Sequence, residues 1–330
     1  MQEISVRIVG TSNGVLANGY AGLLSKMPRV KVVQNLSIGS SHSCLLPGVA
    51  EQFNDQHADV CILDLAVNEQ RALSRKLYNF DVTVDLFDYF LGVCEKHNMI
   101  PVVLLLPLLN EPNASTEAIR LWTKICTDHG VRFIDALELA AAEWPNVDAR
   151  TLWRDAAHPD LPFSERLALE IYNASCAALA EQPFIGPYGN HRFMTYRDIT
   201  GERTSRSTRL TSVDLVVLKE GDQNTIDLGG PARIVGIGLN MAKTNGALEI
   251  EGDNKVIKSL SNAFYDSRDF WFVYWNLICP VFSESGIFDL RVVRVEDGMI
   301  FEDNDCRARQ LPPQDQPVQI ELESLIIETL

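Results

Sequence analysis

Nearly unbroken apolar runs alternate with stretches of helical periodicity over the first half of the chain. Ile4–Val9, Val30–Leu36, Ala58–Val67, Ile100–Leu106 and Val131–Ile134 read as strands, and runs this apolar are expected of strands covered on both faces. Between them Val15–Met27, Val49–Gln56, Val82–His97 and Thr116–His129 read as helices, and Ser164–Glu181 as a last one. Asn113 to Thr116 offers N-cap candidates and Gly130 stands where a terminating glycine belongs. Strands alternating with helices predict a parallel, doubly wound sheet of five strands over residues 1–182. The pattern then changes. Residues 183–194, with Gly186-Pro187-Tyr188-Gly189-Asn190, read as a linker. Over 195–330, short alternating runs such as Val213–Leu218, Arg233–Leu239, Phe270–Ile278 and Val318–Ile327 are separated by Gly-, Asn- and Asp-rich turns. That is the pattern of an antiparallel β-sandwich or jelly roll.

Composition narrows the partners. A formal net charge of −15 disfavours nucleic acid and anionic membrane, and no apolar run reaches the length of a membrane span. Seven cysteines without paired spacing suggest free thiols in a reducing compartment. With no basic-then-apolar leader at the start, a cytoplasmic location is expected.

The candidate chemistry starts at Gly10-Thr11-Ser12-Asn13-Gly14, where the first strand turns into the first helix. Glycines permit a tight turn and the close approach of a ligand, and a helix N-terminus offers free N–H groups to an anion. The turn reads equally as a nucleophilic serine, as a flavin-phosphate loop of the flavodoxin kind, or as plain turn chemistry. A nucleophilic serine needs a base and a group that orients the base. Of six histidines, His158 stands apart, because Asp155 precedes it by three positions in Asp155-Ala156-Ala157-His158; the competing reading of that spacing is a cap or surface turn. Gly39, after the second strand, and Asn68, after the third, are candidate oxyanion donors, against a turn glycine and a cap asparagine. Arg154, beside Asp155, is a candidate substrate contact or one half of a surface ion pair. All lie at or just beyond carboxyl ends of predicted strands, which share one edge of a parallel sheet and form its ligand edge.

Here the chain resembles the SGNH (GDSL-type) hydrolase superfamily. Gly10-Thr11-Ser12-Asn13 matches the serine block, Asn35 to Gly39 the glycine block, Val67-Asn68-Glu69 the asparagine block and Asp155-Ala156-Ala157-His158 the final block. The order and strand context agree over residues 1–182. Thr11 stands where the family usually has aspartate, and Ala66-Val67-Asn68-Glu69 where it usually reads Gly-x-Asn-Asp. The resemblance implies a flavodoxin-like fold and a serine esterase that needs no cofactor and no metal. Ser12, His158 and Asp155 would form the triad, and the N–H groups of Ser12 and Gly39 with the Asn68 amide the oxyanion hole. Gly10-x-Ser12-x-Gly14 also fits the nucleophile elbow of α/β-hydrolases, but there the elbow follows several strands and the acid lies far from the histidine. Some carbohydrate esterases of this group carry a jelly-roll domain, which points to an acetylated carbohydrate as substrate. A sugar O-acyltransferase with the same triad, and a non-catalytic glycan-binding protein on a decayed hydrolase fold, are the alternatives. In the second half, the alternation of Phe270-Trp271-Phe272-Val273-Tyr274-Trp275 puts Trp271 and Trp275 on one face. That face is either a sugar-stacking platform or, the preferred reading, buried core. Gly252-Asp253-Asn254 and Glu302–Asp305 read as solvated turns in preference to calcium loops.

Overall fold

The computed structural model describes residues 3–74, 80–181, 191–208, 211–262, 264–296, 299 and 315–330. The segment 182–190, most of the expected linker, and the Glu302–Asp305 turn lie outside the described residues. The chain divides into two compact units, the first made of residues 1–42, 49–76 and 87–190. The second takes in 43–48 and 77–86 as well as 191–330. The division therefore does not follow a single cut in the chain.

The first unit contains a parallel five-stranded sheet: β1 (Ile4–Gly10), β2 (Val30–Asn35), β3 (Val60–Asp64), β4 (Ile100–Leu105) and β5 (Arg132–Asp135). Their order is β2-β1-β3-β4-β5, the flavodoxin-like order, in which the chain reverses direction across the sheet between β1 and β3. Eight α-helices occur among the described residues: α1 (Ser12–Val15), α2 (Tyr20–Leu24), α3 (Leu45–Ala50), α4 (Ala66–Ser74), α5 (Phe80–Lys96), α6 (Pro112–Asp128), α7 (Ala136–Glu143) and α8 (Leu161–Ala180). Ile4, Val6 and Ile8 of β1 pack in one core with Ile62, Leu104 and the α8 residues Phe163, Leu167 and Ile171.

Several predicted boundaries move, each for a local reason. The single helix predicted over Val15–Met27 is two short ones, α1 and α2. Around Gly19 the backbone folds back so closely that a Cβ there would lie 2.1 Å from the Asn13 carbonyl oxygen. The apolar run Ala58–Val67 ends as a strand at Asp64, and Ala66 opens α4; a buried first helical turn is as apolar as a buried strand, so hydropathy cannot separate them. The helix expected over Val49–Gln56 lies earlier, as α3. α6 begins at Pro112, where the fixed φ of proline suits a first turn, and stops before Gly130, which takes the left-handed conformation at φ +64°. α7 had no counterpart in the sequence reading. It is capped by Asp135, whose carboxylate accepts hydrogen bonds from the N–H groups of Leu137 and Glu138.

The second unit carries two antiparallel sheets. Its strands are β6 (Arg192–Tyr196), β7 (Glu202–Ser207), β8 (Ser212–Lys219), β9 (Gln223–Asp227), β10 (Ala232–Asn240), β11 (Ala247–Glu251), β12 (Lys255–Ser259), β13 (Phe272–Ser283), β14 (Ile287–Val293) and β15 (Gln319–Thr329). One sheet runs β13-β10-β15-β8-β7 with β6 also paired to β15; the other runs β12-β11-β14-β9. β6 begins inside the segment read as linker. β7 went unread because its Glu-Arg-Thr-Ser-Arg-Ser sequence has no apolar face. Ile234, Ile237, Trp275 and Leu325 of the first sheet meet Leu248, Ile250, Phe288 and Leu290 of the second in a single core. Val273 and Trp275 belong to that core, and Trp271 packs on its edge with the Arg268 guanidinium 4.2 Å above its ring. The aromatic run is therefore interior and not a sugar-stacking face. At Gly252-Asp253-Asn254, Asp253 and Asn254 accept backbone N–H bonds from Glu284 and Phe282, the contacts of a turn. No helix among the described residues is long and apolar enough to cross a membrane.

Candidate functional site

β1 delivers Ser12 to the carboxyl edge of the sheet. Thr11 caps α1 in an extended conformation, and Ser12 is the first helical residue. α1 is a single turn, so its N-terminus offers N–H groups but little of the macrodipole expected from a longer helix. The glycine at 14 is required sterically, and the one at 10 sits in a tight space. A Cβ at Gly14 would lie 2.1 Å from Ser37 Oγ, and one at Gly10 3.0 Å from Tyr20 Oη.

The segment Trp153–Asp160 reaches the same point from the other end of the domain. It is a tight loop closed by the Arg154 N–H donating to the His158 carbonyl and the Asp160 N–H to the Leu152 carbonyl. Within it, one oxygen of Asp155 accepts the N–H groups of Ala157 and His158 at 2.9 and 3.0 Å. The carboxylate lies 2.8 and 2.9 Å from His158 Nδ1. Burial pushes the Asp155 carboxyl up, but the hydrogen bonds from Ala157 and His158 outweigh it and hold the group below the usual carboxylate value. The other ring nitrogen, His158 Nε2, is 2.8 Å from Ser12 Oγ. Ser12, His158 and Asp155 thus form one hydrogen-bonded chain, the arrangement in which an imidazole takes a proton from a hydroxyl while a carboxylate holds its tautomer.

Gly39 follows β2 in a segment bound to β1, where the Ile38 N–H donates to the Gly10 carbonyl. A Cβ on Gly39 would stand 3.6 Å from Ser12 Cβ, an ordinary contact, so Gly39 lies directly against the serine. Its N–H has no acceptor among the described residues. Asn68 is not in a strand-end loop but in the first turn of α4. It is buried, and its Nδ2 donates to the Ser41 carbonyl at 3.0 Å, tying α4 to the loop that carries Gly39.

No protein-family model and no curated protein sequence matches the chain. Among solved structures, a two-domain esterase (CEX) active on acetylated mannans, co-crystallized with mannopentaose, is similar with a TM-score of 0.65 at 12% identity. That likeness covers 99% of this chain and 91% of the other. A second structure of the same description gives 0.63 at 11% identity, covering 99% and 92%. A lipolytic protein of the G-D-S-L family from Desulfitobacterium hafniense matches 52% of this chain and 99% of its own at 14% identity, with a TM-score of 0.44. The chain shares the fold of that two-domain esterase, a parallel five-stranded α/β domain with an added antiparallel β-domain.

Within this two-domain fold, Arg154 pairs with Asp155, Nε to Oδ2 at 3.6 Å, with both side chains about half exposed. Two asparagines that the sequence reading left without a role hold the site together. Asn13 Nδ2 donates to the Ala157 carbonyl at 3.1 Å, and Asn35 Nδ2 donates to the Gly14 carbonyl at 2.9 Å. The only sequence signal for either was a polar amide beside an apolar strand. Asp64, at the end of β3, is fully buried and accepts a hydrogen bond from Thr11 Oγ1 at 3.3 Å. Burial pushes its carboxyl up to about 7, against the opposing influence of the Thr11 and Tyr20 hydroxyls beside it.

Metal-type ligands gather elsewhere. Asp85, His191 and Glu328, in the second unit, place one ligand atom each within 4.8 Å of one another. The Arg233 guanidinium bridges Asp85 and Glu328, so the group is an ion-pair network around a cation already supplied by the protein.

Proposed function

We propose that the protein is a serine esterase that removes small acyl groups, acetyl foremost, from a carbohydrate through an acyl-enzyme. The hydrogen-bonded chain from Ser12 Oγ through His158 to Asp155 carries this reading. The likeness to an esterase active on acetylated mannans supports the substrate class. His158 Nε2 takes the Ser12 proton as Oγ bonds to the ester carbonyl carbon. The carbonyl oxygen becomes an oxyanion facing the N–H groups of Ser12 and Gly39 and the Asn68 amide. Collapse breaks the ester C–O bond, and His158 returns the proton to the departing sugar hydroxyl. Water repeats the sequence on the acyl-serine and releases acetate. Asp155 stays ionised throughout and supports the imidazolium.

A cavity of about 460 Å³ lined by Leu109, Asn110, Arg150, Trp153, Asp155 and Ala156 adjoins the triad through Asp155. It is the proposed seat of the sugar, with an apolar wall and, besides Asp155, the polar side chains of Asn110 and Arg150 to meet hydroxyls. The Arg150 guanidinium has no partner among the described residues.

The deciding experiment is labelling with a fluorophosphonate, followed by intact mass. The wild type is expected to take one adduct and Ser12→Ala none; an unlabelled, folded wild type would remove the serine reading. Arg150→Ala separates sugar binding from chemistry. It should raise KM for acetylated manno-oligosaccharides about tenfold, the loss of one polar contact, and leave p-nitrophenyl acetate hydrolysis unchanged. Equal losses on both substrates would take the cavity out of the reading.

A further inference from the structure

We propose that Asp64 is a positioning residue for Ser12, acting through Thr11 to hold the turn that presents the serine to His158; this rests on the serine-esterase reading. The side chains of Tyr20, Ser37 and Asp64 converge on the inner face of the Gly10–Gly14 turn. The empty Cβ position of Gly10 lies 3.0 Å from Tyr20 Oη, 3.2 Å from Ser37 Oγ and 3.3 Å from Asp64 Cβ. Thr11, the one residue between Gly10 and Ser12, is fully buried and turns its hydroxyl to Asp64 Oδ2. That bond ties Thr11 to the end of β3, and with it the direction in which Ser12 leaves β1.

The polar groups around Asp64 are poorly satisfied. Tyr20 Oη, Ser37 Oγ and Asp64 Oδ1 are all buried without a hydrogen-bond partner among the described residues. An unpaired buried polar atom costs stability, and an apolar group of similar shape generally does better in its place. A cluster that breaks the packing rule next to a nucleophile is the pattern of a functional constraint. Asp64 contacts neither the ester nor the imidazole in the proposed reaction, so its effect must pass through the geometry of the turn.

The test compares wild type, Asp64→Leu, Thr11→Val and the double variant. We expect Asp64→Leu to melt somewhat below wild type, since it strands the buried Thr11 hydroxyl, and the double variant, which removes both partners, to melt near wild type. The fluorophosphonate labelling rate and kcat for p-nitrophenyl acetate should fall about 10- to 100-fold, as a nucleophile displaced by a fraction of an ångström loses rate, with KM unchanged. Thr11→Val should fall as far, and the double variant no further than either single, because both remove one linkage. Asp64→Asn keeps an acceptor for Thr11 and should restore most of the rate. Wild-type labelling rates in Asp64→Leu and Thr11→Val would overturn the proposal while leaving the esterase reading intact. A fall in KM-dependent terms alone, or losses that multiply in the double variant, would also overturn it. If Asp64→Leu does not fold, Thr11→Val decides. A wild type that takes no label removes the serine reading itself, which sets the two failures apart.

Discussion

His158→Ala is expected to lower ester turnover by about 10⁴- to 10⁶-fold and to leave the melting temperature close to that of the wild type. The size follows from the geometry. His158 is the one base within hydrogen-bond distance of Ser12 Oγ among the described contacts, at 2.8 Å, and a serine hydroxyl without a base is a weak nucleophile. The structural cost is small because the loop is held by its backbone. The His158 carbonyl accepts the Arg154 N–H and the Ala157 carbonyl accepts Asn13 Nδ2, and neither bond uses the imidazole. The released Asp155 carboxylate is half exposed and keeps its backbone donors. Steady-state hydrolysis of p-nitrophenyl acetate beside a thermal melt checks both halves. Partial recovery with added imidazole would show that the missing function is proton transfer. Turnover above about one hundredth of wild type would mean that some other group activates the serine.

Arg233→Met should cost the second unit roughly 3–5 kcal/mol, the usual penalty for removing one partner of a buried ion pair. Arg233 holds Asp85 at 2.6 Å on one side and the nearly fully buried Glu328 on the other. His191 also contacts both carboxylates, at 3.5 and 2.7 Å. Without the guanidinium, two carboxylates face each other, and Glu328, with its side chain 3% exposed, cannot gain enough solvation to compensate. Replacing Glu328 by Gln in the Arg233→Met background should return part of the loss, since the stranded charge goes with it. Urea unfolding followed by fluorescence measures both. An Arg233→Met protein as stable as wild type would show that His191 alone neutralises the network.

The apolar runs of residues 1–182 placed each of the five parallel strands within a few residues, because strands buried on both faces carry an unmistakable apolar signature. The weakly patterned elements were invisible for the opposite reason. β7 has no apolar face to read, and α4 starts with Ala66-Val67, which continue the apolar run of β3. The same ambiguity left Asn68 simply after the third strand, whereas it stands on the first turn of a helix.

At the site, the contact that sequence spacing determined on its own is the local one. Asp155 and His158 are three residues apart, a spacing that a single tight turn suffices to close, so carboxylate and imidazole can meet without a long-range contact. The order of the motifs along the chain, with each after its own strand, likewise puts Ser12, Gly39, Asn68 and His158 at one edge of any parallel sheet. Only the tertiary structure decided the rest. Ser12 meets His158 across 146 positions, and Asn13 reaches Ala157 across 144. Those distances depend on β1 lying next to both β2 and β3, which hydrophobic patterning does not encode. Asp64 beneath Thr11 belongs to the same class, because a polar residue at the end of an apolar strand has the same pattern whether it faces water or is sealed under a neighbouring turn.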